Sequence, residues 1–192
     1  MTAYHINSLS GEAILCHIDS LCGVLENCVA GGASVSFMHP LSREKSHQFW
    51  SGVAASVTRG ERIVLAAQDE AGEIVGTVQV VLDQPENQPH RADVSKLLVH
   101  DSARRQGLAR RLMTTLEREA QAHGKNVLVL DTATGSGAEN FYTACGWQRV
   151  GEIPRYALMP DGNVTATTLF LQVHITDANK PRQFDQNRVS WS

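Results

Sequence analysis

Little in this chain points to metal or redox chemistry. Of 192 residues only four are cysteines, Cys16, Cys22, Cys28 and Cys145. None forms a C-x-x-C pair, and the eight histidines show no ligand spacing, so no metal site is expected. Three of the thiols fall in the apolar run EAILCHIDSLCGVLENCVA, where buried free cysteines are expected, and reduced thiols suit a cytosol. No apolar stretch approaches the ~18 residues of a membrane span, and no charged segment leads into an apolar core at the N-terminus. A soluble, cytoplasmic protein without membrane partners is the expectation. A basic excess is missing too: the formal charge is −3, which argues against a general nucleic-acid binder. Long linkers, internal repeats and low-complexity tracts are absent from the sequence. Neither familiar phosphate loop occurs, since there is no G-x-x-x-x-G-K-[ST] and no G-x-G-x-x-G opening a βαβ unit.

What is present is apolar patterning for one sizeable core, with 42% apolar residues. AYHINSL reads as a first strand. Ile14, Ile18, Leu21 and Leu25 stand at helical spacing, which predicts one helix over 12–29, and a second fits 42–58. RIVLAAQ and EIVGTVQVVL predict two strands joined through the turn DEAG. RADVSKLLV is the next strand. Leu108, Leu112, Leu116 and Ala120 then recur every four positions, an amphipathic helix ending near His123-Gly124. NVLVLD is continuously apolar, as a buried parallel strand requires. Ser136 and Glu139 have capping-box spacing and predict a short helix over 137–144. WQRVGEI and TATTLFLQVHI, joined through PDGN, supply the last strands. The order β-α-α-β-β-β-α-β-α-β-β describes a single α/β domain over 1–174 with a mixed sheet. The polar stretch 175–192 reads as a flexible tail.

One segment stands out chemically. HDSARRQGLARRLMTTLE, from His100, places Arg104, Arg105, Arg110 and Arg111 around Gly107 where a helix opens after a strand. Free N–H groups and the helix macrodipole make such an opening an anion site, and a glycine lets the anion approach the backbone. The compact cluster suits a pyrophosphate better than a duplex, which needs charge spread along a face. An exposed basic helix face is the competing reading of the arginines alone.

R-x-x-G-x-A at 104–109, after KLLV and before an amphipathic helix, resembles the acyl-CoA-binding signature of the GCN5-related N-acetyltransferase (GNAT) superfamily. The resemblance implies a mixed sheet of about seven strands flanked by about four helices. It implies acetyl-CoA as donor, with the pyrophosphate on Arg104, Arg105 and the N–H groups of Gln106, Gly107, Leu108 and Ala109. The pantetheine arm would add to the strand edge at Leu98 and Val99. Ala109 stands where many members have glycine. GGASVSFM, RADVSKLLV, SARRQGLARRLM, LDTATGSGAENFY, RVGEIPRY and PDGNVTATTLF further resemble the tabtoxin resistance family, whose members acetylate an amino-acid-like β-lactam toxin.

Acetyl transfer to an amine needs a base, charge stabilisation and a proton for the departing thiolate. Asp93, in the strand before the arginine loop, and Asp131, at the carboxyl end of NVLVL, are the candidate carboxylates, and the family resemblance makes both substrate-binding or catalytic. That family carries glutamate where this chain has Asp93, which favours action through a bridging water. Tyr142 matches the superfamily's general-acid tyrosine. Gly135 replaces the asparagine many members have seven residues before it, and Asn140 is the nearby candidate for a coenzyme contact. Ser34 and Phe37, in GGASVSFM, are expected to shape the acceptor pocket. The sequence thus leads to a small-molecule amine acetyltransferase, monomeric or homodimeric. A protein or peptide acetyltransferase and a non-catalytic acyl-CoA sensor stay open as alternatives.

Overall fold

The computed structural model describes residues 4–174. The tail expected at 175–192 lies outside the described residues. Seven strands, β1 (His5–Ser8), β2 (Arg62–Gln68), β3 (Ile74–Val81), β4 (Arg91–Val99), β5 (Val127–Ala133), β6 (Gln148–Leu158) and β7 (Val164–Val173), form one sheet in the order β1-β2-β3-β4-β5-β7-β6. All neighbours run antiparallel except β4 and β5.

Strict alternation in β2 explains the three-layer build. Ile63, Leu65 and Ala67 point into one core, and Val64 and Ala66 into another on the opposite face. The first core is closed by α4 (Leu108–Ala122) and α5 (Gly137–Ala144), and the second by α1 (Gly11–Cys16), α2 (Ile18–Ala30) and α3 (Arg43–Thr58). The stripe of α4 is the one the spacing predicts, Leu108, Leu112, Leu116 and Ala120, with Met113 added; all five are buried. Each such leucine contributes roughly 2–5 kcal/mol against truncation to alanine.

Three sequence expectations change. The helix expected over 12–29 is two helices, broken at His17 (φ −104°, ψ 19°). There α1 turns to pack on α3 so closely that a Cβ on Gly11 would meet Thr58 Oγ1 at 2.1 Å. Cys16, at the end of α1, is consequently exposed, whereas Cys22 and Cys28 are buried as expected. The capping box at α5 does not form: Glu139 accepts from the N–H of Gly135, one residue before the N-cap, and the Ser136 hydroxyl caps nothing.

The third change shapes the site. Ser95 pairs with Gln79 and Leu98 with Thr77, so three steps along β4 face two along β3. This one-residue bulge centres on Lys96, whose φ of 54° is left-handed. Ala92 and Val94 belong to the α4 core, yet Leu98 belongs to the opposite core. The extra residue has reversed which side chains of β4 face which layer.

Candidate active site

Only Arg91–Val127, Ala92–Leu128 and Asp93–Val129 pair β4 with β5. Past Asp93 the strands part. β5 stays paired with β7 through Ala133, while β4 bulges and leaves its other edge open. Backbone N–H and C=O groups of an open edge accept an extended ligand as an added strand.

At the carboxyl end of β4 the chain passes through a 3-10 turn (Asp101–Ala103) into α4. Arg105 (φ 59°) and Gly107 (φ 74°, ψ 4°) adopt left-handed conformations that turn the loop sharply, and no side chain caps the helix. Nothing lies within 4 Å of a Cβ built on Gly107, so the space above this glycine is open. No acidic residue occupies the first turn. Val99, Arg104, Arg105, Gly107, Leu108, Ala109 and Phe141 line a cavity here of about 290 Å³. Uncapped N–H groups, local cations and open space form a donor set that fits a pyrophosphate.

The arginines divide into separate roles. Arg104 Nε donates to Val99 O at 3.0 Å, fixing that guanidinium beside the strand end. Arg110 donates to Ala144 O at 3.1 Å, and Arg111 donates to Tyr4 O at 2.8 Å, tying α4 to the chain just before β1. Gln106 is held from its side chain, accepting from Tyr4 Oη at 3.0 Å. Leu98 is buried in the core and can offer a ligand only its backbone; Val99 O already accepts from Arg104. Asn140 is exposed on α5 and lines neither cavity of the cleft.

A second cavity, about 250 Å³, occupies the gap between the parted strands. Its floor and walls come from Val94–Leu97 of β4, Leu130–Ala133 of β5 and Tyr142 of α5; its roof is the 32–36 loop. That loop is pinned across the cleft, where His39 N donates to Pro160 O at 3.0 Å in the β6–β7 turn, and Met159 completes the lining. Ser34 lines the cavity as expected. Phe37 instead packs edge-on against Phe49, with centroids 5.3 Å apart, and supports the loop from behind.

Asp131 and Tyr142 share this cavity; Asp93 does not line it. Asp131 is exposed to the cavity and accepts from Thr167 Oγ1 at 2.9 Å. Tyr142 is 8% exposed, in aromatic contact with Phe141, Trp147 and Phe170. Burial, with smaller contributions from Cys145 and Asp131, pushes its phenol far above the usual range, so it keeps its proton. Asp93 sits where the strands are still paired, in an ion pair with Arg91 and accepting from Gln84 Nε2 at 3.0 Å. Its carboxylate is committed to neighbours on the closed side of the fork.

Two cavity residues escape a reading of the sequence. Lys96 is brought to the wall by the bulge, and its signal is the Ser95-Lys96 doublet followed by Leu97-Leu98, which breaks the period-two pattern of the strand. Ser136 lines the cavity with its hydroxyl buried and unpartnered, next to the Gly135 that replaces an asparagine in many superfamily members. Among the described residues no group of three or more His, Cys, Asp or Glu could hold a metal, and no helix is long and apolar enough to cross a membrane.

Comparison with known proteins identifies the family and the fold. Residues 32–147 match the model of the Acetyltransferase (GNAT) family. Over 116 residues, 59% of the chain and 67% of the relative, it is 34% identical to an uncharacterized N-acetyltransferase from the hisH-hisA intergenic region of Azospirillum brasilense. A protein of Acinetobacter baylyi ADP1 assigned as an acetyltransferase superposes with a TM-score of 0.76 at 15% identity, covering 94% of this chain and 97% of its own. An assigned acetyltransferase of Salmonella typhimurium, solved with acetyl-CoA, gives 0.72 at 16% identity over 94% and 99%.

Proposed function

Since this chain belongs to the acetyltransferase (GNAT) family and takes acetyl-CoA as its acetyl donor, we propose that the acceptor is the amine of a small, amino-acid-like molecule, of the kind met in toxins and antibiotics such as a tabtoxinine-β-lactam. The observation that carries this reading is the roofed cavity of about 250 Å³, closed by the 32–36 loop and pinned by His39 and Pro160. A peptide acceptor needs an open groove, and this roof crosses where it would run.

The coenzyme fits the open end of the fork. Arg104, Arg105 and the N–H groups from Gln106 to Ala109 would hold the pyrophosphate, and the free edge at Leu98 and Val99 the pantetheine arm. Bound there, acetyl-CoA supplies the thioester carbon for direct attack by the amine with both substrates in place.

Asp131 is the proposed base. It lies at the carboxyl end of β5, where open α/β sheets bind ligands, and Thr167 fixes its carboxylate. Tyr142 holds a proton on Oη that full transfer to a thiolate, with a free-thiol pKa of ~8.5, would not favour. Its role is to donate a hydrogen bond to the sulfur as negative charge develops there, while the amine's own proton completes the exchange. Asp93 acts behind this pair: with Arg91 and Gln84 it braces the closed end of the fork that sets the spacing of the two strands.

A thiol-release screen with acetyl-CoA over amino acids, small amines, aminoglycosides and short peptides tests the reading. Release with small amines is expected. Release with peptides alone replaces the small-molecule acceptor by a protein one. Stabilisation by acetyl-CoA without release for any amine leaves a sensor.

A further inference from the structure

Lys96 is a cation without an anion. Its Nζ donates to Ser36 Oγ at 3.1 Å and lies 5.8 Å from the centre of the Phe49 ring. Among the described residues no carboxylate forms an ion pair with it. The side chain is half-buried: burial pulls its pKa down, Asp131 opposes that without forming an ion pair, and Arg62 adds a smaller lowering effect. A left-handed backbone is disfavoured at a lysine, yet the bulge holds it, and the bulge brings this side chain to the cavity wall. Lys96 and Asp131 therefore stand on the two facing strands of one small cavity, with opposite charges and room between them.

We infer that Lys96 anchors the acidic group of the acceptor, so that the acceptor is a zwitterion whose amine lies at Asp131 and whose carboxylate, or an equivalent oxyanion, lies at Lys96. The inference rests on the proposed acetylation of a small amine and names its substrate class. A partly desolvated cation gains more from an anion than an exposed one does, because the cost of removing it from water is already borne by the fold. Ser36 Oγ accepts from Lys96 and leaves its own proton for a second bond to the same oxyanion. The left-handed Ser36 (φ 76°) places that hydroxyl in the roof loop, so binding of the acid would also tie the roof to β4. Opposite charges at the two ends of the cavity fix one orientation of the acceptor, amine toward the thioester.

The test compares each of a panel of free L-amino acids with its own primary carboxamide, in the thiol-release assay with saturating acetyl-CoA, for the wild type and for Lys96→Gln. The wild type should favour the acid by ~10–100-fold in kcat/KM, carried mostly by KM, the range expected of a charge-assisted hydrogen bond. In Lys96→Gln that preference should collapse to within ~3-fold, while Lys96→Arg keeps most of it. Equal losses on acid and carboxamide in Lys96→Gln would make Lys96 a tether of the roof loop and overturn the inference. So would a wild type that uses carboxamides as well as acids. Release with uncharged amines but with no amino acid overturns this inference and leaves the acetyltransfer reading standing; release with no amine at all overturns both.

Discussion

At the proposed donor end of the fork one uninterrupted stretch, 99–110, supplies all of the cavity lining except Phe141, and much of what it offers an anion is backbone. At the acceptor end the cavity is assembled from the 32–36 loop, two parted strands, the start of α5 and the β6–β7 turn, and what it offers is side chains. A backbone site tolerates change in most side chains and needs only the correct turn. A side-chain site can be retuned at one position without disturbing the fold. On the proposed reading the donor end therefore suits a constant ligand, acetyl-CoA, and the acceptor end is where substrate choice would be set.

The strongest way to break this division is at Gly107. A Gly107→Glu variant should fold, since nothing of the protein lies within 4 Å of the added Cβ, although the left-handed φ adds strain. It places a carboxylate against the diphosphate and should raise the KM for acetyl-CoA by ~100-fold or more, the loss of about two charge-assisted bonds. The amine's KM, measured at saturating donor, should stay within ~3-fold. Asp131→Asn should show the reverse, with kcat/KM for the amine down ~100–1000-fold and acetyl-CoA affinity, measured by calorimetry, unchanged.

Tyr142→Phe should lower kcat by ~10–100-fold with donor affinity intact. Because burial holds the phenol protonated, the alkaline limb of the rate profile should have the same pKa in the variant as in the wild type. A shifted limb would instead make Tyr142 a titrating acid. Asp93→Asn sharpens the contrast between the carboxylates: with its side chain paired to Arg91, it should change amine kinetics by less than ~3-fold and stability by no more than ~1 kcal/mol. An effect matching that of Asp131→Asn would restore Asp93 to the reacting pair.

The smallest effect lies outside the cleft. Arg59 first, then Ser56, holds the Glu61 carboxyl at about 2 in place of 4.5. A depressed folded-state pKa stabilises above 4.5 and loses that contribution as pH falls from there toward 2. Melting temperature measured over that window should fall less steeply in Glu61→Gln than in the wild type.

The same contrast decides what the sequence could disclose. Helix α4, the strands of the sheet and the arginine–glycine loop are local patterns, legible because spacing of 3.6 or 2 and a run of consecutive residues carry them. The break at His17 is set by α1 packing on α3, which no window around His17 contains. Asp131 and Tyr142 could be singled out by position at a strand end and by family pattern. That Asp93 is bound to Arg91 and Gln84, and Lys96 turned to the cavity, follows from where β4 stops pairing with β5 and where it bulges, both consequences of strand partners distant in sequence.

The central claim is that an amine at Asp131 meets a donor held independently at the opening of α4. It is tested most directly by measuring, for wild type and Asp131→Asn side by side, both acetyl-CoA affinity and thiol release with the best small amine found. The account expects release by the wild type, loss of at least ~100-fold in kcat/KM for the amine in the variant, and equal donor affinity in both. Release that is absent from the wild type, or undiminished in Asp131→Asn, would contradict it.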